Sequence, residues 1–231
     1  MPLVEALDSN FWRRLGRRKT YFILLLILAP VLGQVHCRRL GAGKIDLSVI
    51  DEATGQPTPA RVELLDTNGK AYVANDALPV DGSCDDPEMP PHPTLQQALS
   101  GLTRKVENPY TKTLQFYSSG ASEVSLPAGN FKIRVYKGTE HRLVEQEIRL
   151  KPGERKRLTV KVSRWVNMPA LGWYSADDHL HISRPIAELN PYIAKWMQAE
   201  DLHVANLLQF GLARRFQNPP EYAFGAPSVY R

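Results

Sequence analysis

Residues 172–185 read GWYSADDHLHISRP and hold the densest group of metal-ligating side chains in the chain: Asp177, Asp178, His179 and His181. Two imidazoles one residue apart, with carboxylates just before them, are a donor set for one divalent cation. Imidazole suits zinc, manganese or iron, and nearby carboxylates favour harder cations or a two-metal site. A metal so held would lower the pKa of bound water and supply hydroxide at neutral pH. The competing reading is a structural pair of histidines on a β-strand, because a bare His-x-His is common.

The elements around the motif bear on that choice. Strand alternation puts Asp177, His179 and His181 on one face and Leu180 on the other. The segment PIAELNPYIAKWMQAED follows as a helix, with Ile193, Trp196 and Met197 at helical spacing. Pro191 either sits in its first turn with Asn190 as cap or kinks it. HVANLLQFG then reads as a buried strand ending at Gly211, so the order is strand, helix, strand, the unit of a parallel sheet or barrel. The motif lies at a strand C-terminus, where barrel enzymes build their sites. His203 lies at the start of the second strand, the wrong end, and reads as a surface or packing histidine.

Residues 44–164 have a different grammar. KIDLSVID alternates with Ile45, Leu47 and Val49 on one face. ARVELLD repeats this with Val62 and Leu64, and the turn-forming EATGQPTP lies between them. Asn68-Gly69 is a strong hairpin signal, followed by AYVA as the return strand. Residues 76–108 read as a proline- and acid-rich surface excursion with one short helix in TLQQALSGLT. Strands resume with Val124 and Leu126, then Phe131, Ile133 and Val135, then LVEQEIRL, then Leu158, Val160 and Val162. About seven short strands with turns between them predict a two-sheet sandwich, with a small barrel as the alternative. Val49, Leu64, Phe131, Val135, Leu158 and Val160 are its expected core. Tyr110, Phe116 and Tyr117 are candidate contacts for a carbohydrate-like or other small ligand, or else core aromatics.

The chain has 231 residues and a formal net charge of +5. The excess sits in Arg13, Arg14, Arg17, Arg18, Lys19, Arg38 and Arg39, near the N-terminus. A basic balance confined to a leader is no argument for nucleic-acid binding. The apolar run YFILLLILAPVLG is shorter than the roughly 20 residues a membrane span needs. It follows a basic stretch, as in a signal peptide over residues 1–33, with an uncleaved membrane anchor as the alternative. Cys37 and Cys84 follow the expected cleavage point. In an oxidising compartment they are a candidate disulfide, with two unpaired thiols as the other reading.

ARVELLD, LPAGNFKIRVYKGTEH and RWVNMPALGWYSADDHLHISRP together resemble exported bacterial metal-dependent hydrolases of the PHP-type, amidohydrolase-like group, in its CehA/McbA-like branch. In that family a carboxypeptidase-regulatory-like sandwich, of immunoglobulin/transthyretin type, precedes the catalytic barrel. The resemblance implies a mainly β chain: a sandwich over residues 44–165, then an incomplete α/β fragment of a PHP/TIM-like barrel over residues 170–231. It implies that His179 and His181 are first-strand ligands of a divalent metal, zinc or manganese, with Asp177 at the motif's acidic position. Two departures stand out. Many relatives carry an Asp-His pair at the end of the second strand, where this chain has Gln209-Phe210-Gly211. The family's domain also continues through further strand–helix units that supply the remaining ligands, so the chain is expected to hold part of the site. Two functions compete: the N-terminal portion of an exported hydrolase acting on an ester, amide or phosphoester, or a non-catalytic exported binding module with a vestigial hydrolase segment.

Overall fold

The computed structural model describes residues 42–80, 94–180, 182 and 186–207. The expected leader, Cys37, Cys84, His181 and the Gln209-Phe210-Gly211 stretch lie outside the described residues.

Eight strands follow one another: β1 (Ala42–Asp51), β2 (Ala60–Asp66), β3 (Val106–Glu107), β4 (Leu114–Ser118), β5 (Ala121–Pro127), β6 (Gly129–Tyr136), β7 (Val144–Leu150) and β8 (Arg155–Val162). They form two sheets, β5-β1-β8 and β3-β4-β2-β6-β7. Within the first, β1 runs antiparallel to β5 and parallel to β8. The second is antiparallel throughout. The apolar faces of both sheets enclose a single core, so the fold is mainly β and a sandwich rather than the alternative barrel.

Alternation explains which side chains fill that core. Ile45, Leu47 and Val49 of β1 are buried, as are Val62 and Leu64 of β2, Phe131, Ile133 and Val135 of β6, and Val160 and Val162 of β8. Burying side chains of this size stabilises by roughly 1.5–3 kcal/mol each. Leu158 departs from expectation: it is half-buried against the core, while Val160 and Val162 further along β8 are fully buried. The Pro127-Ala128-Gly129 turn joins β5 to β6 across the two sheets and closes no hairpin.

Asn68-Gly69 does form a tight turn, with Gly69 at φ +78. The expected AYVA strand does not follow: it pairs with β2 only through a bridge at Ala71 and the Tyr72 N–H to Leu64. β4 covers that side of β2 only over Ala60–Val62, and the arm meets the remainder by this short contact alone. The expected surface excursion is also tied down at its two ends. Ala77, Leu78 and Val80 are buried, and Val80 bridges Thr103. Helix α1 (Leu95–Ser100) starts with a capping box, in which Thr94 and Gln97 satisfy each other's backbone N–H groups.

After β8 come β9 (Ala176–Leu180), helix α2 (Asn190–Ala199) and β10 (Val204–Leu207), with β9 and β10 paired in parallel. Pro191 occupies the first turn of α2. Asn190 is the first residue of that helix and not its cap, because a 3-10 turn over Ala187–Leu189 winds straight into it. Leu189 and Ile193 bury against Ala98 of α1 in a second, smaller core. β10 is less buried than expected, with Val204 53% exposed. Among the described residues no helix is long and apolar enough to cross a membrane.

Candidate metal site and the sandwich junction

β9 is positioned by its parallel ladder with β10, in which Ala176 faces Val204 and Asp177 faces Ala205. The register then shifts, and Leu180 faces Leu207. Two residues of β9, Asp178 and His179, therefore stand against one of β10, Asn206. This is a β-bulge, a device that re-aims side chains and recurs beside active sites. Strict alternation predicted Asp177 and His179 on one face. Around the bulge Asp177 is half-buried, and Asp178 and His179 are both exposed.

The Asp177 carboxylate accepts the backbone N–H of His179 at 3.0 Å. Asp177 thereby fixes the backbone from which the His179 imidazole projects, and keeps its second oxygen for another partner. Carboxylate and imidazole are a suitable donor pair for zinc or manganese. The third expected ligand, His181, lies outside the described residues, among which no group of three or more His, Cys, Asp or Glu converges on one point. Asp177 and His179 fit such a cation in chemistry, and two donors fall short of the three that a catalytic zinc requires.

A second polar constellation had no counterpart in the sequence reading. It lies where the β6–β7 loop of the sandwich meets the turn between α2 and β10. Arg164, just beyond β8, grips Asp201 with two hydrogen bonds of 2.6 Å and also donates to Glu140 at 2.8 Å. Asp201 adopts a left-handed backbone, φ 55. Gly138 packs so closely that a Cβ there would lie 2.5 Å from the Asp201 Cβ and from the Glu200 carbonyl oxygen. Lys137 donates to the carbonyls of Pro59, at 3.0 Å, and of Gln198, at 2.5 Å. A cation on the last carbonyls of α2 also complements the helix dipole. Burial, only partly offset by Asp201, pushes the Lys137 ammonium below its ordinary pKa. His141 sits beneath these groups with its side chain fully buried. Around the rim, Tyr117 donates to Glu200 at 2.7 Å, and burial together with that carboxylate pushes its hydroxyl pKa up.

The only hints of this junction in the sequence are the charges of YKGTEH and the Arg-Trp that ends the sandwich. Neither discloses which charges meet. A nearby pair, Ser175 and His203, has the types of a nucleophile and base, with Oγ and Nδ1 2.8 Å apart. The Ser175 hydroxyl donates to the Asp201 carbonyl. Its single proton is thus committed, so it accepts from His203 Nδ1–H, which excludes a base at that nitrogen. His203 also packs edge-on against Tyr174, the packing role expected of it.

No known protein family's profile matches this chain, and no curated protein does. Several solved structures do. The GBS52 minor pilin of Streptococcus agalactiae matches at 13% identity and a TM-score of 0.34, over 55% of this chain and 47% of that one. The pilus 2b backbone protein of group B streptococcus matches at 15% identity and 0.34, over 55% and 43%. The Bacillus anthracis TIE protein matches at 14% identity and 0.32, over 54% and 18%. The chain spans less than half the length of each of these proteins.

The candidate ligand-contacting aromatics separate. Phe116 is a core residue with no exposure, because it alternates inward on β4 opposite Val62. Tyr117 is committed to Glu200, and Tyr110 is exposed. Among the described residues, Trp165, Trp173 and Tyr174 are further exposed aromatics, all on the connection from β8 to β9.

Proposed function

We propose that this chain is the N-terminal portion of an exported metal-dependent hydrolase, in which the sandwich is a rigid base for the opening strand–helix–strand unit of the catalytic domain. The observation that carries this reading is the bulge at Asp178–His179 on a parallel strand, with the Asp177 carboxylate anchoring the His179 backbone. His179 and His181 supply imidazole ligands, and Asp177 orients the first of them or joins it. A bound zinc or manganese ion would supply a water of lowered pKa for attack on an ester, amide or phosphoester. Further ligands come from elsewhere in the catalytic domain, so the chain alone holds metal weakly and turns over little substrate.

Calorimetric titration of the full chain with zinc or manganese tests this. Weak binding is expected in the wild type and none in His179→Ala. Asp177→Asn should weaken it about 10–100-fold, the usual cost of losing a group that orients a ligand. Unchanged affinity in His179→Ala would sink the metal assignment. Vigorous, chelator-sensitive ester hydrolysis by this chain alone would sink the claim that its ligand set is partial.

The alternative, a non-catalytic exported module for a carbohydrate-like ligand, is favoured by the adjacent Trp173 and Tyr174, 69% and 64% exposed. Saturable quenching of tryptophan fluorescence by a neutral oligosaccharide, lost in Trp173→Ala and with no metal bound, would favour it over the hydrolase.

A further inference from the structure

His141 belongs to the β6–β7 loop and bridges the backbone of Arg164. Its side chain has no solvent exposure, and among the described residues neither ring nitrogen has a hydrogen-bond partner. The nearest carboxylate oxygen is Asp201 Oδ2, 3.6 Å from Nδ1. That same oxygen is held at 2.6 Å by Arg164 Nη1. Four charged groups from separate segments bear on the ring: Asp201 from the α2–β10 turn, Arg164 from beyond β8, Lys137 from the end of β6 and Asp51 from the end of β1. Glu140, its neighbour in the loop, is tied to Arg164 and to the Met168 N–H.

A neutral imidazole can remain in this position. An imidazolium cannot do so without rearrangement, because it carries two N–H donors and no acceptor among the described residues lies within hydrogen-bond reach. The nearest acceptor it could reach is Asp201 Oδ2, which Arg164 already holds at 2.6 Å, so any shift that brings this oxygen within reach of the ring strains that pair. Asp201 ties the α2–β10 turn to the sandwich through Arg164, beside the close packing of Gly138 and the Lys137 bond to the Gln198 carbonyl.

We propose that the junction between the sandwich and the β9–α2–β10 unit is an acid-released latch with His141 as its sensor: closed while the imidazole is neutral, and loosened when the ring takes a proton and competes with Arg164 for Asp201. The inference is independent of the metal reading. The direction of the ring's titration agrees, since burial, with Arg164 and Lys137 reinforcing it, outweighs Asp201 and Asp51 and holds the His141 pKa below its ordinary value. The sign follows from linkage. The opened state binds the proton at the free-histidine pKa of about 6.5, and the closed state only at lower pH. Closure is therefore complete above that value and weakens as pH falls toward the closed-state pKa.

Hydrogen exchange of the full chain, followed by mass spectrometry with a chelator present and corrected for intrinsic rates, tests the latch. Peptides covering residues 196–207 should lose protection relative to β2 and β6 by about tenfold per pH unit below about 6.5. His141→Gln should abolish that dependence, and His203→Gln should retain it. No pH response in the wild type, or the same response in His141→Gln, overturns the proposal. If His141→Gln leaves residues 196–207 unprotected even at neutral pH, the NMR titration of the wild-type His141 ring decides. An apparent pKa below about 6.5, shared by the amides of residues 200–203, supports the latch; one at or above that value overturns it.

Discussion

Phe116→Ala is expected to lower the unfolding free energy by about 3–5 kcal/mol, the usual cost of removing a buried aromatic ring. Phe116 is fully buried on β4, opposite Val62 of β2, in the core shared by both sheets. The loss has two parts: the transfer energy of the ring, and the cavity left between two sheets whose ladders resist collapse. Urea denaturation followed by far-UV circular dichroism measures it, with the midpoint falling and the slope unchanged. Tyr110→Ala is the contrast, because that ring is 91% exposed and its removal should change stability by less than about 0.5 kcal/mol. A similarly small loss for Phe116 would place its ring outside the core and restore it as a candidate ligand contact.

The contrast between these two aromatics shows where sequence reading succeeds in this protein. A period of two marks the inward face of a strand wherever polar and apolar residues alternate, and nearly every core position expected on β1, β2, β6 and β8 is buried. It does not tell which strands become neighbours. β1 takes β5 and β8 as partners, both more than seventy residues away in sequence, and leaves β2 to the other sheet. Ala71 departs from expectation in this way: its arm meets β2 by an isolated bridge at Leu65 and adds no strand to the sheet.

The candidate site was legible as chemistry and less so as geometry. Asp177 and His179 could be singled out by type and spacing. The bulge beside them depends on the pairing of β9 with β10 and leaves no mark in DDHLH. The junction was harder still. YKGTEH is polar and charged, yet Lys137, Glu140 and His141 are buried by a segment some sixty residues later in the chain. Asp201 gives no sign of its left-handed backbone, which more often calls for glycine or asparagine.

Arg164→Ala is expected to be nearly as damaging as the loss of Phe116, by a different route. The guanidinium holds Asp201 with two bonds and Glu140 with a third. Removing it leaves two mostly buried carboxylates facing each other without their cation. Breaking a fully buried ion pair costs about 3–5 kcal/mol; with the Arg164 side chain 26% exposed, about 2–4 kcal/mol is expected here. The loss should be local. Exchange protection should fall first in residues 196–207, while β2 and β6 keep theirs until global unfolding. Asp201→Asn should cost less than Asp201→Ala, because asparagine tolerates the left-handed backbone, whereas alanine adds about 1–2 kcal/mol of strain there. In a double-mutant cycle, Arg164→Ala and Asp201→Asn should be strongly non-additive, with a coupling of about 1–3 kcal/mol. Additive losses would mean that Arg164 acts mainly through Glu140, and that the α2–β10 turn is seated by the close packing of Gly138 and the carbonyl contacts of Lys137 rather than by this pair.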